Sequence, residues 1–174
     1  MRNLILLLVV LVFTSCSEHI YAQNDDDIFT IYLVRHSEKD LNATNYSNPP
    51  LSKCGEKRSE LLNQFLKDVP LEVIYSTDYI RTLSTATPTA KSKNLEIMNY
   101  DPRKLEAFSQ ELINRQQDAV VVGHSNTTAV LAGLLVDETL GAFDLEIYDR
   151  IYQVVICNSK KQLHLLHLPL DCQD

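Results

Sequence analysis

The run Ile28-Phe29-Thr30-Ile31-Tyr32-Leu33-Val34 constrains this chain more than any other stretch. It is unbroken, apolar and rich in β-branched and aromatic residues, the pattern of a strand buried on both faces. It ends abruptly in Arg35-His36-Ser37-Glu38-Lys39. A strand with no polar face needs helices on both sides, and in such sheets ligands bind beyond the strands' carboxyl ends. The Arg-His pair therefore stands where a site is expected.

The rest of the chain alternates in the same way. Leu51-Ser52-Lys53-Cys54-Gly55-Glu56 opens a helix, with Ser52 as N-cap and Leu61, Leu62, Phe65 and Leu66 as an apolar face turned to the sheet. Strands are predicted over 71–75, 95–98 and 118–122. Helices are predicted over 78–90, 104–115 and 127–135, with Pro88 kinking or ending the first of them. Residues 137–149 are acidic and without period. The runs 152–157 and 162–168 read as two edge strands joined by a turn at Asn158-Ser159-Lys160-Lys161. The alternation predicts one α/β domain, a three-layer α/β/α sandwich around a mostly parallel sheet.

Two later stretches resemble the first. Ser76-Thr77-Asp78-Tyr79-Ile80-Arg81-Thr82-Leu83-Ser84-Thr85-Ala86 follows the apolar Val73-Ile74-Tyr75, and Ala119-Val120-Val121-Val122 runs into Gly123-His124-Ser125-Asn126-Thr127. Together with Arg35-His36 these resemble the histidine phosphatase superfamily, also called phosphoglycerate mutase-like. Its members carry Arg-His-Gly after the first strand, Ser-x-x-x-Arg-(Thr/Ala)-x-x-Thr-Ala mid-chain and Gly-His after a late strand. The resemblance covers residues 28–168 and implies that family's fold.

Arg presents a planar fork of donors matched to phosphate oxygens and stays charged at any relevant pH, so Arg35 and Arg81 suit the two sides of a phosphoryl group. Imidazole is an available neutral nucleophile near pH 7. The resemblance implies that His36 attacks phosphorus to form a phosphohistidine, which water then hydrolyses, and that His124 donates to the same oxygens. With two Arg and a second His supplying positive charge, no metal or cofactor is required. Ser37 replaces the family's usual Gly and places a hydroxyl beside the phosphate. Glu38 is close in sequence, and Asn42 stands where many relatives place a phosphate-contacting Asn, although an Asn also suits the turn-rich loop 40–50.

A leaving alkoxide needs a proton. Asp101, beyond Arg81 in the loop leaving a short strand, is the favoured donor, and Glu38 is the alternative. The segment between Arg81 and His124 is short and mostly strand and helix, so the site stays open to water. Hydrolysis is expected rather than mutase transfer. Two other readings compete: a phospho-ligand-binding lipoprotein that has lost turnover, and an esterase using Ser125 in Gly123-His124-Ser125, with His164 or His167 completing its triad. His164 and His167 are poor joint metal ligands, because three residues apart on a strand they face opposite ways.

The substrate is expected to be a small phosphorylated molecule or a phosphoprotein. The formal net charge of −7 argues against nucleic-acid binding. Residues 1–22 form a targeting segment, with Arg2 ahead of an apolar run from Leu4 to Phe13 that is too short to span a bilayer. Phe13-Thr14-Ser15-Cys16 resembles a bacterial lipobox, which makes Cys16 a lipid-anchor site; cleavage after Ala22 is the alternative. His19 falls in this segment, residues 23–27 form a tether, and the phosphatase-like domain spans 28–174. Export leaves Cys54, Cys157 and Cys172 in a disulfide-permissive place, with one pair at most.

Overall fold

The computed structural model describes residues 28–172. The targeting segment, Cys16, Ala22 and the tether 23–27 lie outside them. Within them the elements run β1 (Ile28–Arg35), α1 (Lys53–Phe65), β2 (Val73–Ser76), α2 (Ile80–Lys93), β3 (Ile97–Asn99), α3 (Leu105–Arg115), β4 (Ala119–Gly123), α4 (Thr128–Val136), β5 (Arg150–Cys157) and β6 (Lys160–His167). The strands form one sheet in the order β3-β2-β4-β1-β5-β6. The β3, β2, β4 and β1 neighbours are parallel, whereas β5 and β6 are antiparallel additions.

Alternation along the strands divides the core in two. Phe29, Ile31, Leu33, Val121 and Val154 pack with Leu105, Phe108 and Leu112 of α3 and Leu131 and Leu135 of α4. Tyr32, Val34, Val120, Val122 and Ile151 face the other way, toward Leu62 and Leu66 of α1 and Ala86 and Ala90 of α2. These are the three layers that the buried run of β1 demands.

Several local expectations need correction. The run 152–157 is not an edge: β5 pairs with both β1 and β6, so only β6 and β3 lie at the rims. Pro88 does not end α2, which continues to Lys93. Thr89 and Ala90 just beyond it are buried, and their packing holds the turn despite the lost backbone donor. Phe65 is not part of the buried face of α1 and is 38% exposed, whereas Arg58 and Ser59 are buried. Ser52 caps α1 as expected, accepting from Gly55 N at 3.1 Å.

Parallel register positions the site. Arg35 is level with Gly123 across the β1–β4 pair, and Ser76 is level with Val122 across β2–β4. His36, His124 and Thr77 therefore leave the sheet side by side at one end, and His36 N donates to Gly123 O at 2.9 Å.

Candidate active site

The ring centroids of His36 and His124 lie 5.5 Å apart. His36 is 4% exposed. Its Nδ1 lies 2.7 Å from Ser37 O, and because a carbonyl only accepts, Nδ1 carries the proton. Nε2 is then left with its lone pair. Burial, followed by the charges of Arg35 and Arg81, pulls the His36 pKa down to about 3, despite the opposing hydrogen bond to Ser37. The imidazole is therefore neutral and available at neutral pH.

His124 is fixed by a chain of hydroxyls. Thr82 Oγ1 donates to the carbonyls of Thr77 and Tyr79 at 2.8 and 2.9 Å. Thr77 Oγ1 donates to Thr82 Oγ1 at 3.0 Å, so it accepts from His124 Nε2 at 2.9 Å. Burial and then the charges of Arg81 and Arg35 lower the His124 pKa to about 4. The turn after β4 is tight: His124 N donates to Thr127 Oγ1 at 2.9 Å, and Thr128 Oγ1 donates to His124 O at 2.7 Å. Gly123 is required there, since a Cβ would sit 2.6 Å from the Tyr100 hydroxyl and 2.9 Å from Thr127 Oγ1.

Two guanidiniums accompany the histidines. Arg81 lies 4.4 Å from the ring centre of Tyr79, which packs edge-on against His124 at 5.1 Å. Arg35 lies 3.9 Å from the ring centre of Tyr148, whose ring stands 6.1 Å from that of His36. Burial lowers the pKa of both arginines, yet a guanidinium stays charged under any relevant condition. A nucleophilic nitrogen, a second imidazole and two cations thus converge at one end of the sheet. That is the equipment for stabilising a phosphoryl group in transfer.

The other sequence-predicted residues are placed differently. Ser37 is 1% exposed, its N donating to Thr85 Oγ1 at 2.9 Å, so it joins the His36 loop to α2. Glu38 is bound by a helix residue. Arg58 of α1 grips both its oxygens, from Nε at 2.8 and 3.0 Å, and also donates from Nη1 to Leu168 O. Asn42 is exposed, with its N donating to Asp40 Oδ1 in a local turn. It lines a cavity of about 480 Å³ together with Arg35, Glu38 and Tyr148.

Asp101 is engaged by a near neighbour in sequence. Arg103 holds both its oxygens at 2.9 Å, and these bonds depress the carboxyl pKa to about 2. An acid of that strength has no proton to give at neutral pH. Its groove of about 520 Å³ is shared with Tyr79 and Tyr100, on the β3 side of the crevice.

Four residues at or beside the site had no place in the sequence reading: Thr77, Thr85, Tyr79 and Tyr148. The two threonines were within reach, because Thr85 is the Thr of the mid-chain motif and Thr77 stands where that motif has Ser. Tyr148 lies in a stretch without period and gave no signal. The esterase triad is not assembled. Ser125 follows β4, while His164 and His167 sit on β6 with β1 and β5 between, and His167 pairs with Asp149 at 2.9 Å. Among the described residues, Glu38, Cys54 and Cys172 are the grouped metal-ligand types. The two sulfurs form a disulfide with each other, leaving Cys157 as the unpaired cysteine among the described residues.

Residues 31–103 match the model of the histidine phosphatase superfamily (branch 1), a span that includes Arg35, His36 and Arg81. Over that span the chain is similar to the histidine phosphatase superfamily. Phosphoserine phosphatase 1 of Hydrogenobacter thermophilus is 40% identical over 75 residues, an alignment covering 41% of this chain and 36% of that protein. Solved structures share the fold as well. The protein histidine phosphatase SixA, solved with tungstate, superposes with a TM-score of 0.66 at 21% identity, over 80% of this chain and 97% of that one. The alpha-ribazole phosphatase of Shigella flexneri gives 0.67 at 14% identity, over 84% and 100%. At these identities the two structures establish the phosphoglycerate mutase-like fold.

Proposed function

We propose that the protein is a phosphatase that hydrolyses phosphorylated substrates through a phosphohistidine on His36. The observation that carries this reading is the bond from His36 Nδ1 to Ser37 O, which directs the Nε2 lone pair to a crevice shared with Arg35, Arg81 and His124. Nε2 attacks phosphorus in line while the arginines hold the non-bridging oxygens. A bound dianion reverses the field that keeps His124 neutral, so that His124 takes a proton and donates to the same oxygens. Water then cleaves the phosphohistidine and regenerates His36.

Because Asp101 and Glu38 are both committed to arginines, protonation of the leaving oxygen is the weak step. Leaving groups that depart without a proton are the substrates this site favours, such as aryl esters. The names of the Hydrogenobacter relative and of SixA support a phosphorylated amino acid or protein as the natural target.

Denaturing alkaline quench during turnover of a phosphorus-labelled aryl phosphate tests the reading. The expected label is acid-labile, alkali-stable and absent in His36→Ala. Phosphate binding without turnover would instead identify a ligand-binding relative.

The same reading has the domain exported, with a lipid on Cys16 or a mature end after Ala22. The Cys54–Cys172 disulfide supports export, since such bonds persist in oxidising compartments. Mass spectrometry of the mature amino terminus distinguishes the two routes.

A further inference from the structure

Arg35 is held from one side by a single short segment. Its Nη1 donates to Leu145 O at 2.5 Å and to Ile147 O at 2.8 Å. Tyr148, the next residue, stacks its ring 3.9 Å from the guanidinium carbon. Three restraints on one side chain thus come from four consecutive residues that belong to no helix or strand. Arg35 is only 5% exposed, and its Nε has no hydrogen-bond partner among the described residues. A buried guanidinium N–H without an acceptor is unfavourable unless an acceptor arrives with a ligand. Beside a neutral nucleophilic imidazole, a phosphate oxygen is the acceptor of the right charge.

We propose that Tyr148 is the positioning residue for Arg35: its ring, with the carbonyls of Leu145 and Ile147, clamps the guanidinium along its Nη1 side and presents the remaining donors to a phosphoryl group at His36. The inference rests on the crevice being a phosphate site. It makes the 145–148 segment a working part of that site, although the segment carries none of the family's motifs. The ring is the functional part, because a flat π-face restrains the plane of the guanidinium and favours its charge. The cavity lined by Arg35, Glu38, Asn42 and Tyr148 opens against the same segment, so substrate atoms entering it touch the clamp directly.

The test compares Tyr148→Leu, which removes the ring, with Tyr148→Phe, which keeps it. Calorimetry with inorganic phosphate reads binding, and 4-nitrophenyl phosphate reads KM and kcat. Tyr148→Leu is expected to weaken phosphate binding by about tenfold and to raise KM in step. Tyr148→Phe restores affinity to within about twofold of the parent. Circular dichroism melts verify that both variants are folded, and Tyr148→Trp serves as a second ring-bearing variant if the leucine variant is not. Parent-like phosphate affinity in Tyr148→Leu would overturn the proposal. Equal losses in the Phe and Leu variants would overturn it too, by assigning the effect to the hydroxyl. Failure of the parent protein to bind phosphate would remove the phosphate-site reading itself, and this proposal with it.

Discussion

The two halves of the crevice are built on different principles. On one side His36, His124 and Thr77 leave three parallel strands whose register is set by backbone hydrogen bonds. On the other side Tyr148, Leu145 and Ile147 belong to an irregular segment held by individual contacts. Leu168 N donates to Asp149 O at 2.7 Å, Asp149 pairs with His167, and Arg58 reaches both Glu38 and Leu168 O. The disulfide from Cys54 to Cys172 closes that assembly over α1. A side chain placed by sheet register tolerates replacement without moving its neighbours, whereas one placed by a chain of contacts does not. Substitutions on the strand side should therefore remove chemistry and spare stability, and those on the other side should do the reverse.

The largest effect is expected at His36. His36→Ala should lower kcat on 4-nitrophenyl phosphate by more than about a thousandfold while leaving the melting temperature near that of the parent. A variant that keeps its rate would end the comparison at once. Arg81→Ala comes next, with a loss on the order of a hundred- to a thousandfold in kcat, because it removes a charge from the transferring group. Steady-state kinetics would show a deficit much larger on kcat than on KM.

The contact-built side should answer with stability. Replacing Cys54 and Cys172 together by Ser should cost about 2–4 kcal/mol in urea unfolding, with turnover of the folded fraction retained. A rate loss as large as that of Arg81→Ala would mean that the tail, and not the strand ends, sets the catalytic geometry.

Acid acts on the strand side through its two histidines and on the other side through Asp149, whose carboxyl the hydrogen bond with His167 holds below its ordinary range. His36 and His124 have folded pKa values of about 3 and about 4, below the ordinary 6.5, so on acidification the unfolded chain binds the extra protons. Unfolding free energy should fall as pH drops from about 6.5 toward about 3 and should be insensitive to these two groups above that window. Urea titrations at a series of pH values read the slope, and a flat response would show that neither histidine is held neutral. The smallest effect belongs to Asp101→Asn, expected to change kcat by no more than about twofold on both alkyl and aryl phosphates. A loss confined to alkyl phosphates would return Asp101 to the role of proton donor.

The same division decides what could be read from the chain alone. β1 and β4 are legible because burial on both faces leaves an uninterrupted apolar run, and the Arg-His and Gly-His pairs sit where those runs stop. β5 misleads because Gln153 and Val155, partly exposed amid buried neighbours, give it the look of a rim strand. Its partner on one side is the hairpin strand β6, which sequence places beside it but not outside it. Phe65 misleads because helical spacing cannot say that Arg58 takes the buried place for the sake of Glu38. The pairing of Asp101 with Arg103 is local, two residues apart, and an Asp-Pro-Arg turn in sequence does not say which way its carboxylate faces. Tyr148 was beyond reach, since its position depends on Arg35 Nη1 finding two carbonyls a hundred residues away.

The direction of β1 has a consequence for how the molecule meets its surroundings. The strand begins at Ile28, where the preceding chain joins the domain, and its other end, about 25 Å distant, carries the Arg35-His36 pair. The point where the preceding chain joins the domain and the crevice therefore lie at opposite ends of the sheet. A support coupled at Ile28 itself would leave the mouth of the crevice uncovered.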